Sequence, residues 1–163
     1  MFPETTLHEA RSMLAAAEKR GIRLATAESC TGGLIAGCLT EIAGSSTVVD
    51  RGYVVYDNRA KTEMLGVQET TLAVEGAVSE AVAREMVGGA LARSGCHLAV
   101  AVTGIAGPGG GSATKPVGLV HIAAALRGRE ALHERHVFPG DRSAIRQATV
   151  DAALRLARRA LAG

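Results

Sequence analysis

Strand-like and helix-like stretches alternate along the first half of this chain, and that alternation constrains its fold more than any other feature. Residues 22–27 form a stretch typical of a strand, and the apolar spacing over residues 31–42 is typical of a helix. Residues 47–56 are β-branched and aromatic, which again predicts a strand, and a short helix follows to residue 65. Strands that alternate with helices predict a sheet covered by helices.

The rest of the chain adds a hairpin to this arrangement. The other predicted elements are a first helix ending at Gly21, a helix over 80–93, a strand over 97–103, a hairpin over 117–138 and a last helix over 141–160. We expect the first helix to open at a capping box of Thr6 and Glu9. Parallel and antiparallel strands together predict an α/β fold, a three-layer α/β/α sandwich with a mixed β-sheet, in a single domain over residues 1–163.

Composition limits the core and excludes several classes of partner. Only four residues are aromatic although 47% are hydrophobic, so the core must consist of Ala, Val, Leu and Ile. A net charge of +2, with basic residues spread along the chain, disfavours nucleic-acid binding. No apolar run approaches the ~20 residues that cross a bilayer, so we expect no membrane association. Three cysteines without a CxxC pair indicate a reducing compartment and a cytoplasmic location.

The segment TAESCTGG, residues 26–33, joins the first strand to the helix that follows it. In open α/β sheets, ligands bind beyond the carboxyl ends of the strands, which is where this turn lies. Ser29 is the candidate nucleophile. The candidate groups to hold an oxyanion are the backbone N–H groups at the helix start, those of Cys30, Thr31, Gly32 and Gly33. The alternative is structural: Ser29 and Thr31 cap the helix, and the glycines allow close packing.

A serine nucleophile needs a base, and Lys61 is the candidate, because a lysine whose pKa has fallen can accept a proton. The segment YDNRAK places Lys61 in the first turn of a short helix, where the helix dipole disfavours an ammonium. Tyr56 begins the same segment and can pack on a planar ring or bond to Lys61. A solvent-facing lysine and a core tyrosine are the alternatives. The five histidines show no HxxxH or HxH pairing, which favours Lys61 by elimination.

Two further segments can bind an anion. Residues 103–111, TGIAGPGGG, follow a strand, and their glycines allow N–H groups to turn toward a ligand. This loop is neither a dinucleotide-binding GxGxxG nor a P-loop. Arg142 and Arg146 lie four residues apart at the start of the last helix, share a face and together suit a phosphate or a carboxylate. A flexible surface loop and solvent-exposed arginines are the alternatives.

Four segments, in this order, resemble the C-terminal domain family of the competence/damage-inducible protein CinA. They are TAESCTGGLIAG (26–37), GYVVYDNRAKTEMLGV (52–67), GAVSEAVAREM (76–86) and AVTGIAGPGGGSATKPVGLVHIA (101–123). The resemblance therefore covers almost the whole chain. Stand-alone members of this family include nicotinamide-nucleotide amidases. Larger members carry an additional N-terminal domain that resembles molybdopterin-binding proteins, and we expect no part of it in this sequence.

The resemblance implies hydrolysis of the amide of nicotinamide mononucleotide to nicotinic acid mononucleotide and ammonia, a step of pyridine-nucleotide salvage. It implies that Ser29 is the nucleophile, that Lys61 activates it with Tyr56 close by, and that Thr103 and Gly104 belong to the pocket wall. The expected partner is thus a small-molecule nucleotide, with Arg142 and Arg146 as candidates for its phosphate. No metal or organic cofactor is required, and a homodimer is implied.

Two other functions stay open at this point. A catalytically silent nucleotide-binding or regulatory domain would use the same fold, although it would not need both Ser29 and Lys61. A phosphate-ester hydrolase or a kinase-like enzyme would use the glycine-rich loop. The chain lacks the P-loop lysine and the acidic metal cluster that such an enzyme needs.

Overall fold

In the computed structural model, which describes residues 1–163, five strands form one sheet and six helices cover it. The strands are β1 (Leu24–Glu28), β2 (Val49–Val54), β3 (Leu98–Gly104), β4 (Leu119–Leu126) and β5 (Leu132–Val137). The helices are α1 (Glu4–Lys19), α2 (Leu34–Thr40), α3 (Asn58–Leu65), α4 (Glu69–Glu75), α5 (Glu80–Ser94) and α6 (Arg142–Ala162). A short 3-10 turn, Ser45–Thr47, precedes β2.

The sheet is mixed, and its strands follow the order β2-β1-β3-β4-β5. Strand β1 runs parallel to both of its neighbours, whereas β4 runs antiparallel to β3 and to β5. Helices α1, α2 and α6 pack on one face, and α3 and α5 pack on the other. This arrangement confirms the predicted α/β fold with a mixed β-sheet between two helical layers.

The alternation of side chains along β3 shows how the two layers differ. Leu98, Val100 and Val102 belong to the core beneath α1, α2 and α6, whereas Ala99 and Ala101 belong to the core beneath α5. Successive residues of a strand point to opposite faces, so the larger side chains all fill one layer. The small side chains on the other face allow α5 to pack close to the sheet. This layer is therefore filled without large aromatic side chains.

Two local predictions differ from the structure, and one helix was not predicted. Helix α1 begins at Glu4 after Pro3, so the predicted capping box is wrong; the Thr6 hydroxyl instead donates to Asp151 Oδ1 at 2.6 Å. Helix α2 begins at Leu34 and not near Thr31, because the two residues before it, both glycines, have positive φ angles. Helix α4 was not predicted from the sequence. None of the helices is long and apolar enough to cross a bilayer.

The parallel part of the sheet determines where a site can form. Glu28, the last residue of β1, pairs with Val54 in β2 and with Val102 in β3. The segments that follow these three strands therefore leave the sheet side by side at one edge. They are the serine-containing turn, the YDNRAK segment and the glycine-rich loop, and this edge is where open α/β sheets bind ligands.

Candidate active site

The turn that carries Ser29 is held by the neighbouring strand. Ser29 directly follows β1, and its backbone N–H donates to Val102 O at 3.1 Å, which extends the pairing with β3 by one residue. The side chain is 8% exposed and lines an open cleft of about 280 Å³. Ser29 is thus a reachable hydroxyl at the bottom of a cavity, on a backbone that the sheet fixes.

Glu28 organises the start of α2 from inside the protein, a role that the sequence analysis missed. Its fully buried carboxylate accepts bonds from Thr31 Oγ1 at 2.7 Å, Ile35 N at 2.8 Å and Ala36 N at 3.0 Å. The unpaired N–H groups of a helix start are thereby satisfied by a side chain within the fold. An acidic residue shortly before a predicted helix was the available signal.

This carboxylate changes which groups can stabilise an oxyanion. The Thr31 hydroxyl is turned toward Glu28 and does not face the cleft lining. Gly32 N donates to Ser29 O at 3.0 Å. The backbone N–H groups of Cys30, Thr31 and Gly33 make no hydrogen bond to another backbone group. Of the four residues predicted to hold the oxyanion, Cys30 is the one that lines the cleft.

Lys61 and Ser29 lie in direct contact, although 32 residues separate them. Lys61 Nζ is 3.0 Å from Ser29 Oγ, 3.0 Å from Val55 O and 3.5 Å from Tyr56 O. The lysine is 1% exposed, which excludes the alternative of a solvent-facing side chain. The structure therefore brings together the two residues that the sequence analysis selected as nucleophile and base.

Burial lowers the pKa of Lys61 below its ordinary value of 10.5, because an ammonium loses hydration inside the protein. The carboxylate of Asp57 opposes this shift and raises the pKa. Asp57 also caps α3, since its Oδ1 accepts a bond from Arg59 N at 2.8 Å. Lys61 thus lies in the first turn of α3, beside one countercharge and two carbonyl oxygens.

Cys30 is adjacent to Ser29 and also lines the cleft, so its thiol competes for the role of nucleophile. Burial is the main cause that raises the pKa of Cys30 to about 11, and the nearby carboxylate of Glu28 adds to the effect. A thiol with that pKa is almost entirely protonated at neutral pH and is a poor nucleophile. The hydroxyl beside Lys61 is the better placed group.

Tyr56 and Arg142 meet at the rim of the cleft. Arg142 Nη2 donates to Tyr56 Oη at 2.9 Å, and Nη1 donates to Gly107 O at 2.7 Å. Tyr56 is 61% exposed, so it is not a core tyrosine, and its contact with Lys61 is made by its backbone carbonyl. Arg142 therefore links the YDNRAK segment to the glycine-rich loop across the cleft opening.

The opposite wall consists of the end of β3 and the loop after it. Thr103 Oγ1 donates to Ala77 O at 2.8 Å, which attaches the linker before α5 to this wall. A side chain at Gly104 would place its Cβ 3.2 Å from Cys30 Sγ and 2.7 Å from Val120 Cγ2, so only glycine fits. Three lining residues outside the predicted site segments were not selected from the sequence, namely Asn58, Ala77 and Val78.

Arg146 does not line the cleft. Its Nε donates to Cys30 O at 3.1 Å, and its Nη2 donates to Thr31 O at 3.0 Å. The prediction that Arg142 and Arg146 form one anion site is therefore not supported, because the two side chains reach different places. No histidine lines the cleft either; His121 and His133 contact each other at 2.9 Å on β4 and β5.

Comparison with known proteins agrees with this architecture. The family model of the CinA C-terminal domain matches residues 6–161. A CinA-like protein of Akkermansia muciniphila is 54% identical over 136 residues, which are 83% of this chain and 33% of that protein. The chain spans about a third of the length of the CinA-like proteins it matches.

Two relatives of similar length extend the comparison. The nicotinamide-nucleotide amidohydrolase PncC of Enterobacter agglomerans is 52% identical over 144 residues, which are 88% of each protein. The crystal structure of the competence/damage inducible protein CihA from Agrobacterium tumefaciens matches with a TM-score of 0.97 at 54% identity, covering 100% of this chain and 99% of that one. The chain belongs to the CinA C-terminal domain family.

Proposed function

We propose that this protein is an amidohydrolase that cleaves the carboxamide of nicotinamide mononucleotide, releasing nicotinic acid mononucleotide and ammonia, with Ser29 as nucleophile and Lys61 as base. The observation that carries the proposal is the 3.0 Å contact between Ser29 Oγ and a buried lysine at the bottom of a cleft. The 52% identity to proteins named nicotinamide-nucleotide amidohydrolase supports the choice of substrate.

The surroundings of Lys61 suit a neutral amine that accepts a proton from Ser29. A neutral amine has two N–H donors and one lone pair. When its donors bond to Val55 O and Tyr56 O, the lone pair is left for the hydroxyl of Ser29. Burial, which lowers the pKa of Lys61, increases the fraction of protein in this state at neutral pH.

The reaction then proceeds in two stages. Ser29 Oγ attacks the carboxamide carbon while its proton passes to Lys61, and the carbonyl oxygen becomes an oxyanion. The intermediate collapses when the C–N bond breaks, and Lys61 returns the proton to the departing ammonia. Water next attacks the resulting ester with Lys61 again taking and returning a proton, which frees the carboxylate product and Ser29.

The cleft has room for the part of the substrate that reacts. Its volume of about 280 Å³ is at the small end for ligand pockets. We assign the floor to the pyridine carboxamide, and the rim, where Arg142 and the glycine-rich loop lie, to the phosphate. The backbone N–H groups of Gly109 and Gly110 have no acceptor within the protein, so they are free to bind an anion.

Ammonia release from nicotinamide mononucleotide tests the proposal directly. We expect release by the wild type and by the control Ser46→Ala, an exposed serine in the turn before β2, and loss of release in Ser29→Ala. Release that survives Ser29→Ala would contradict the assignment of the nucleophile. A folded wild type that binds the nucleotide without releasing ammonia would identify a binding or regulatory domain instead. The predicted homodimer and cytoplasmic location stay predictions.

A further inference from the structure

The guanidinium of Arg146 lies behind the turn that carries Ser29, outside the cleft. It extends from α6 and donates to two consecutive carbonyl oxygens, Cys30 O at 3.1 Å and Thr31 O at 3.0 Å. The planar guanidinium fixes the direction of both carbonyls, which a single point charge on a flexible chain would not do. Arg146 therefore acts on the backbone immediately after the nucleophile.

Fixing these carbonyls also fixes N–H groups. In a trans peptide the C=O and the N–H point in opposite directions. Cys30 O shares its peptide with Thr31 N, so the bond to Arg146 directs the Thr31 N–H away from α6. The preceding peptide is fixed by the bond from Gly32 N to Ser29 O at 3.0 Å, which directs the Cys30 N–H away from Gly32. Thr31 O, the second carbonyl that Arg146 holds, shares its peptide with Gly32 N, so Arg146 also fixes the donor of that bond. The Cys30 N–H bonds to no other residue and lies at the cleft, whereas Thr31 is fully buried and does not line it.

The turn needs an external anchor because its own sequence does not define one conformation. Gly32 and Gly33 have φ angles of +58° and +100°, and glycine has more backbone alternatives than any other residue. Helix α2 does not supply the missing donors either, since Glu28 takes the N–H groups of Ile35 and Ala36. The direction of the Cys30 N–H, next to Ser29, therefore depends on the bonds that hold the carbonyl groups of the turn.

We propose that Arg146 is a positioning residue for the oxyanion site: by holding Thr31 O, it fixes the peptide whose Gly32 N–H donates to Ser29 O, and that bond directs the Cys30 N–H toward the carbonyl oxygen of the bound amide. Its charge also polarises the peptide between Thr31 and Gly32, and the bond from Gly32 N to Ser29 O extends this effect, which makes the Cys30 N–H a stronger donor. This inference rests on the proposed attack by Ser29 but not on which amide is cleaved. It replaces the substrate-phosphate role predicted for Arg146 from the sequence.

Steady-state kinetics separates positioning from substrate binding. For Arg146→Met we expect kcat to fall by about 10- to 100-fold, less than the roughly 10²- to 10³-fold of removing an oxyanion donor outright, with KM within about twofold of the wild type. The control is Arg155→Met, an exposed arginine of α6 with no bonded partner, and we expect its kinetics to be those of the wild type. A raised KM with unchanged kcat would overturn the proposal, because it would indicate that Arg146 contacts the substrate. Wild-type kinetics in Arg146→Met would also overturn it.

A second variant guards against a folding defect. Arg146→Lys keeps the charge and reaches only one carbonyl, so we expect a kcat between those of Arg146→Met and the wild type at an unchanged midpoint of thermal unfolding. The pH dependence of both variants should match the wild type, because Lys61 is untouched. A pH profile shifted in parallel with the loss of kcat would overturn the proposal by showing that Arg146 acts through the base.

Labelling of Ser29 keeps this inference distinct from the proposed substrate. A fluorophosphonate probe forms a bond from Ser29 Oγ to phosphorus and releases fluoride, and it passes through a charged oxygen like that of the amide reaction. By intact mass, we expect Arg146→Met to be labelled at least about tenfold more slowly than Arg155→Met. Equal rates would overturn the inference. Wild type that is labelled but releases no ammonia would refute the amidase proposal alone.

Discussion

The floor and the rim of the cleft are built in opposite ways. At the floor, Ser29 and Lys61 are buried and Lys61 Nζ has three oxygen neighbours within 3.5 Å. At the rim, Tyr56 and Arg142 are exposed, and the loop beside them presents backbone N–H groups without acceptors. The contrast separates chemistry from recognition: changes at the floor should lower kcat, whereas changes at the rim should raise KM.

The two arginines of α6 follow the same division, one turn of helix apart. Arg142 reaches over the cleft opening to Tyr56 and Gly107, whereas Arg146 reaches the backbone of the nucleophile turn. Residues four apart share a face of a helix. Arg142, however, is the first residue of α6, and its side chain extends beyond the N-terminus of the helix. A shared helix face therefore does not establish a shared ligand.

Removing the base should give the largest effect. For Lys61→Met, which keeps much of the length of the side chain but not its amine, we expect kcat for ammonia release to fall by about 10³-fold or more. Lys19→Met, at an exposed lysine of α1, is the matched control. Urea unfolding checks that the variant is folded, because the lost amine also leaves Val55 O without this donor. A kcat within about tenfold of the wild type would contradict the division between floor and rim, because it would show that Lys61 is not the base.

Removing the rim cation should give a smaller effect of the other kind. For Arg142→Ala we expect KM for nicotinamide mononucleotide to rise by about tenfold with kcat within about twofold, because a phosphate contact is present in the ground state and in the transition state alike. Arg155→Ala is the control on the same helix. A tenfold loss of kcat at constant KM would show that Arg142 belongs to the floor in function.

The smallest effect should come from the charge beside the base. The rate should rise with pH and level off below pH 10.5, because the folded-state pKa of Lys61 is lowered. Asp57 raises that pKa, so Asp57→Asn should shift the rise in kcat/KM toward lower pH by a fraction of a unit, while the asparagine still caps α3.

Asp141→Asn, the same change at the cap of α6, is the control for this shift. It should leave the pH profile where it is in the wild type, because Asp141 is not among the groups that act on Lys61. A profile that moves toward higher pH in Asp57→Asn would mean that the group titrating in the rate is not a lysine stabilised by a carboxylate.

The sequence predicts the position of the site better than its internal bonds. Strand and helix periodicity placed the segments containing Ser29, Tyr56 and Thr103 at the carboxyl ends of strands, which meet at one edge because the strands β1, β2 and β3 are parallel. The choice of Lys61 depended on the absence of a better base and on the family resemblance. Periodicity is a local property of the chain, and the family resemblance depends on motifs shared with relatives, so both can be recognised without a structure.

What the sequence did not predict are contacts set by tertiary packing. Glu28 caps α2 from inside the protein. An acidic residue before a predicted helix is a signal for capping, but the sequence does not show that its side chain lies buried beneath the helix start. Arg146 bonds to a turn 116 residues earlier in the chain. Asn58, which lines the cleft, was not predicted for the same reason. The segment YDNRAK alone does not indicate which of its side chains face a cleft whose opposite wall is formed by the end of β3.

Acyl transfer to hydroxylamine tests the central claim, covalent catalysis by Ser29 with Lys61, most directly. If an ester of Ser29 forms, added hydroxylamine competes with water for it, and the hydroxamate of the nucleotide accumulates while ammonia release continues. We expect this hydroxamate with the wild type and none with Ser29→Ala. Ammonia release without any hydroxamate at rising hydroxylamine concentrations, or hydroxamate formed by Ser29→Ala, would contradict the account.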